Sequence, residues 1–188
     1  MRRDELVEAA FRRVAQSGFE GLRLRQVADD VGIDHSTLHY HVATKQDLIV
    51  GVAEYTTRQF WSTLPAGPDP ASQLRGHLEA LRRLMVERPE LFTVTAELDL
   101  RARRDPAVRV AMDEYESGWR AALIEVLSRG AQGQAWAPEV RPQIAAETLI
   151  AAVKGVRLVP DRAGEVFAQL EALLLRGVSE PTQDRSAS

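Results

Sequence analysis

The chain has 188 residues, 45% apolar and 27% charged, with a net charge of −3. That length holds one sizeable core, or a small domain joined to a larger one, and the balance is that of an ordinary soluble globular protein. The absence of cysteine excludes thiol redox sensing, disulfide staples and thiolate metal sites, and it fits a reducing compartment. No apolar run approaches ~20 residues and the N-terminus lacks the apolar core of a signal peptide, so a cytoplasmic protein with no membrane segment is expected. The acidic balance gives no global argument for nucleic acid: residues 1–61 hold eight Lys/Arg against nine Asp/Glu. Any DNA contact has to be local, touching few phosphates, with a modest salt dependence.

Taken in order, residues 2–17 read as a first helix, with Leu6 or Val7, Ala10, Phe11 and Val14 at helical spacing and Asp4, Glu5 and Glu8 at its N-terminal end. Gly18 stops it. Residues 23–31 form a second helix, with Leu24, Val27, Ala28 and Val31 at i, i+3, i+4, i+7. The stretch Val31–Leu48 then organises the chain. Gly32 supplies a tight turn. Asp34 stands at a helix N-cap. Leu38, His41 and Val42 define a narrow buried face, which leaves His35, Ser36, Thr37, His39 and Tyr40 on the other. Thr44 and Asp47 form a capping-box-like pair that restarts a helix, with Lys45 in its first turn. A cation there opposes the helix dipole and makes more sense beside a phosphate.

Helix four runs over 45–63 and ends in Pro65, Pro68 and Pro70, the one proline-dense linker, which puts a domain boundary within residues 60–70. Amphipathic helices follow over 70–87, 90–102 and 106–128, with Pro89 breaking the run and Asp105-Pro106 starting the third. Residues 130–138 read as a loop. Residues 140–158 are apolar nearly all round, as in a helix buried on more than one side, and residues 162–176 form a last helix. Residues 179–188 read as a disordered tail. The fold class is all-α, about nine helices: a helix–turn–helix domain over 1–48, linked by helix four to a larger helical domain over 49–178.

The N-terminal unit resembles the TetR family of bacterial transcriptional regulators. The resemblance is carried by Ala9-Ala10-Phe11, Gly18-Phe19, Leu22, Val27-Ala28, Val31-Gly32, Thr37-Leu38-His39-Tyr40-His41-Val42 and Lys45-Gln46-Asp47-Leu48. His39 stands where the family usually has a phosphate-holding Tyr, and Arg23 where it often has a capping Ser or Thr. The turn from Arg101 to Pro106 also looks like many members.

This resemblance implies a ligand-responsive DNA-binding regulator, most simply a repressor, working as a homodimer on a palindromic double-stranded operator, with no catalytic centre and no cofactor. The DNA contacts fall to Arg23, Arg25, His35, Ser36, Thr37, His39, Tyr40, Thr44 and Lys45. An effector pocket for a small, mostly apolar molecule draws on Tyr55, Phe60, Trp61, His77, Thr95, Tyr115, Trp119 and Thr148, each of which could equally fill core. The dimer face draws on Leu149, Ala152, Val153, Val156, Phe167, Leu170, Leu173 and Leu174, paired as a four-helix bundle. A helical adaptor or an activator of the same fold remains the alternative. No His-Glu-x-x-His, paired Glu-x-x-His or phosphate-binding glycine loop supports an enzyme. His35 and His39 have a zinc-ligand spacing but lack a third ligand, so no metal is expected.

Overall fold

A computed structural model describes residues 2–175; the tail expected over 179–188 lies outside them. The described residues form nine α-helices and no strand: α1 (Arg2–Gly21), α2 (Leu24–Val31), α3 (His35–His41), α4 (Lys45–Arg58), α5 (Pro70–Glu87), α6 (Pro89–Ala102), α7 (Pro106–Gln132), α8 (Pro142–Val156) and α9 (Ala163–Leu175). They pack as two compact units. Among the described residues, one holds 2–63 and 80–119; the other holds 64–79 and 120–175.

The first unit is built on α1, which packs against α2, α3, α4 and α6. Leu6, Ala9, Ala10, Phe11 and Val14 are buried along its inner face. Arg13 fixes α2 to it with two hydrogen bonds to Asp30, of 2.7 and 2.6 Å. Near its end α1 kinks at Gly18, whose φ of 64° and ψ of 178° are open only to glycine. The kink turns Phe19 into the core, where it is 5% exposed.

Among the boundaries that differ from the sequence reading, two have a plain local reason. Helix α4 ends at Arg58 rather than 63: Thr56 and Thr57 donate their hydroxyls back to the carbonyls of Val52 and Ala53, at 2.7 and 3.0 Å, and the chain tightens into a 3-10 turn over Trp61–Thr63. Pro89 starts α6 instead of only ending α5, because a first helical position needs no N–H.

In the second unit α8 packs on α9, with Ala146, Leu149, Ile150, Val153, Phe167 and Leu174 buried. The segment read as a loop over 130–138 is anchored. Helix α7 continues to Gln132, the Trp136 indole donates to the Leu127 carbonyl at 2.8 Å, and the Ala137 N–H donates to the Leu174 carbonyl at 2.8 Å.

A Cβ at Gly18 would meet only the Glu97 carboxylate, at ordinary contact distances of 3.7–3.8 Å. Gly18→Ala therefore tests the backbone alone. It is expected to lower unfolding free energy by about 1–3 kcal/mol, read from the denaturant midpoint; an unchanged midpoint would show that the kink is not needed.

Candidate nucleic-acid interface

Helix α3 is held by its caps and by two side chains. Gly32 ends α2 in the left-handed region, at φ 71° and ψ 35°. Asp34 caps α3, one carboxylate oxygen accepting the Thr37 N–H at 2.8 Å and the Ser36 hydroxyl at 2.5 Å, the other accepting the Thr37 hydroxyl at 2.8 Å. Leu38 and Val42 are buried beneath. His35, Ser36, His39 and Tyr40 are exposed, Tyr40 to 87%, and Thr37 is half-buried. The His35 and His39 rings meet edge to face at 4.5 Å. His39 Nδ1 faces the Ala43 carbonyl at 3.4 Å, so that nitrogen is the donor and Nε2 points away. No group of three His, Asp or Glu among the described residues could hold a metal ion.

Thr44 and Asp47 make the reciprocal capping box their spacing announced. The other basic positions behave differently. Lys45 turns its ammonium to the Phe19 carbonyl, 3.5 Å away, where it neutralises the C-terminal end of α1. Arg23 gives α2 no cap; its guanidinium donates to the carbonyls of Glu20 and Leu22 at 2.5 and 3.3 Å. Arg25 is exposed. Of the three cations, two close off α1 and its turn rather than extend from the surface.

A contact that no local pattern signalled lies one residue beyond Lys45. Gln46 donates to both carboxylate oxygens of Asp105, at 2.9 Å each. Asp105 also caps α7, accepting the N–H groups of Ala107 and Val108 at 3.2 and 3.3 Å, and pairs with Arg101 at 3.1 Å. The start of α4 and the α6–α7 turn are thus held by one carboxylate. Beside it opens a cleft of about 600 Å³ lined by Phe19, Glu97, Arg101 and Arg104 among others. Partial burial works to raise the Asp105 pKa; the Gln46 and Val108 hydrogen bonds and the Arg101 charge outweigh it and hold it below the ordinary range. The Ser36 hydroxyl, the Thr37 N–H and the Thr37 hydroxyl do the same to Asp34 more strongly.

The residues expected to line an effector pocket separate. Phe60, Tyr115 and Trp119 form one aromatic set with Phe92: Phe60 meets Phe92 at 5.3 Å and Tyr115 at 6.2 Å, and Tyr115 stacks on Trp119 at 6.3 Å. Trp61 joins at the edge, 6.5 Å from Tyr115 and 66% exposed. Tyr55 leaves the set, packing on Phe11 at 5.2 Å. Thr95 is buried with its hydroxyl given to the Leu91 carbonyl at 2.5 Å. His77 is buried in the second unit, and Thr148 is exposed on α8, donating to the Ile144 carbonyl at 2.9 Å.

The residues expected at the dimer face divide as well. Leu149, Val153, Val156, Phe167 and Leu174 are buried inside the subunit, Ala152 and Leu170 are half-buried, and only Leu173 is exposed. The exposed stripe of α8 is Ile144, Thr148, Ala151 and Gly155, continued by Leu158; that of α9 is Gly164, Ala168 and Ala172. Apolar periodicity marked the face that builds the subunit, not the one it leaves open.

A model of the family described as "BetI-type transcriptional repressor, C-terminal" matches residues 70–181. The chain belongs to the TetR family of transcriptional regulators. Among curated TetR-family relatives, the repressor AcnR of Corynebacterium diphtheriae is 26% identical over 70% of this chain. The class D tetracycline repressor of Escherichia coli is 32% identical over 46%. The matched segments span 66% and 40% of those two proteins. A TetR regulator from Haloarcula marismortui superposes with a TM-score of 0.83 at 20% identity, covering 93% of this chain and 98% of that one. AibR, solved with isovaleryl coenzyme A and operator DNA, gives 0.74 at 20% identity over 93% and 98%. The family is one of regulators, not enzymes. Among the described residues no helix is long and apolar enough to cross a membrane.

Asp34 and Asp105 both titrate lower in the fold than in the unfolded chain, so their contribution is fully present above about pH 4 and is lost as pH falls below it. The melting temperature of this TetR-family chain is expected to fall as pH drops from about 4 to about 2. Asp105→Asn should start lower and fall less steeply. Parallel curves for the two proteins would show that Asp105 carries none of the acid response.

Proposed function

We propose that the protein is a dimeric repressor that binds a palindromic operator in double-stranded DNA through α3 and releases it when a small, mostly apolar effector binds. It works in the cytoplasm, where the operator is. The observation that carries this reading is the exposed polar face of α3 on a head whose first α4 turn is tied to the α6–α7 turn by Gln46 and Asp105. His35, Ser36 and Tyr40 face base edges, while Lys45, Arg23 and Arg25 serve phosphates, Lys45 and Arg23 by swinging off the carbonyls they now hold. The Thr37 and Thr44 hydroxyls and the His39 Nδ1–H are given to Asp34, Asp47 and the Ala43 carbonyl and hold the reading helix and its flanks in place. The repressor names of the relatives and the operator complex of AibR support the same role. Apolar residues packed with the Phe60–Phe92–Tyr115–Trp119 set suit an apolar effector. A shift of α6 there reaches α4 through Asp105, and a coupling of ~1–3 kcal/mol is typical of such links.

A gel shift with DNA flanking its own gene tests the reading head. Tyr40→Ala and Lys45→Ala should each weaken binding by about tenfold, the cost of ~1.4 kcal/mol per lost contact. Wild-type binding that neither change weakens would refute the assignment.

The dimer is proposed to close through the exposed stripes of α8 and α9, where small residues let helices approach. A Cβ added at Gly155 meets nothing within 4 Å, and a longer side chain at this helical position costs the subunit little. Gly155→Glu with Ala168→Glu should halve the mass seen by light scattering. With one head per particle, operator affinity should drop by about 100-fold or more. A dimer that survives both changes would place the interface elsewhere.

A further inference from the structure

Two hydroxyls on the reading face have their protons committed. A serine or threonine hydroxyl holds one proton and two lone pairs, while an ionised carboxylate only accepts. In the contacts of Ser36 and Thr37 with Asp34, at 2.5 and 2.8 Å, the protons therefore lie on the hydroxyls. Asp34 stays ionised throughout the neutral range, because those same bonds and the Thr37 N–H favour its charged form. What Ser36 shows to the outside is lone pairs. Helix α3 holds no Arg, Lys, Asn or Gln, the residues that make bidentate contacts to guanine or adenine, so single hydrogen bonds of fixed polarity weigh more here.

We propose that Ser36 meets the major groove as a hydrogen-bond acceptor, and so selects an amino base, adenine or cytosine, on the strand it faces. Every base pair carries one amino group in that groove, adenine N6 or cytosine N4, opposite a keto oxygen on its partner. The choice is thus amino against keto on one strand, and is blind to whether the pair is A·T or G·C. Thr37 has the same polarity and gives a phosphate no proton while it stays on Asp34. The inference rests on the DNA-binding reading of α3 and adds the direction of its hydrogen bonds.

The test is operator selection from a randomised library with the full chain, followed by binding assays on single-base variants. One position per half-site should accept A and C alike over G and T by about three- to tenfold, the worth of one hydrogen bond. Ser36→Ala should cut that preference below about twofold and leave other positions unchanged. Asp34→Asn should keep it, since the amide oxygen still accepts from Ser36 and from the Thr37 N–H. Asp34→Ala releases the proton and should bring G and T level with A and C. Circular dichroism reports whether α3 still forms in that variant, and Ser36→Ala carries the test if it does not. A keto base at the Ser36-dependent position, or no position that responds to Ser36→Ala, overturns the proposal. A wild-type protein that enriches no sequence sinks the DNA-binding reading itself.

Discussion

A seven-residue helix, about 10 Å long, cannot hold itself in water, and α3 has only Leu38 within it and Val42 at its end to bury. Its place and the direction of its polar face are therefore set by what it packs on. Helix α1 supplies that support, and the same inner face also carries α2, α4 and α6. The basic side chains are recruited for this job. Arg13 binds Asp30, Arg23 closes the turn after α1, and Lys45 caps the end of α1. On the proposed reading, Arg23 and Lys45 reach a phosphate only by giving up the carbonyls they hold, and that exchange weakens what each contact adds. Recognition must lean on hydroxyls, imidazoles and an aromatic ring, together with the shape of the duplex.

What could be read from the sequence follows the range of the forces involved. The Gly32 turn, the Asp34 cap and the Thr44–Asp47 box are local and were legible, because each is decided within four residues. The spacing of α7 puts Val108, Met112, Tyr115, Trp119, Ala122 and Val126 on one stripe, of which Tyr115 and Ala122 are half-buried and the rest buried. The direction of a lysine or arginine was not legible, since its long side chain can reach either a phosphate or a nearby carbonyl, and Lys45 reaches the carbonyl of Phe19, twenty-six residues back. The Gln46–Asp105 contact joins positions fifty-nine apart and has no periodicity to announce it.

The placement of the residues expected at the dimer face has a different cause. Leu149, Val153 and Phe167 are the large apolar residues of α8 and α9, and a subunit core claims such residues before an interface does. The side left open carries Ala151, Gly155 and Ala168. Small residues of this kind weigh little on any hydrophobic scale, yet they permit helices to meet closely. Thr148 shows the same ambiguity from the polar side. It interrupts an otherwise apolar helix, stands at the solvent-facing edge of that helix and donates its hydroxyl to the Ile144 carbonyl.

If the Asp105 junction transmits the effector signal as proposed, its energy bears on how sharply the protein can switch. Moving from nearly full to nearly empty operator occupancy, 99:1 to 1:99, takes ~5.5 kcal/mol of differential binding. A hydrogen bond to a charged group is worth about 1.5–3 kcal/mol, towards the lower end where water has access, as at the half-buried Gln46 and Asp105. One junction alone would give a graded response. On the proposed mechanism two junctions, one in each half of a symmetric dimer, double this to about 3 kcal/mol at that lower end, provided both heads move together. The steepness of the switch then depends on pairing the subunits as much as on the strength of either contact. A monomer with every side chain of the head intact would bind weakly and respond to its effector only partially.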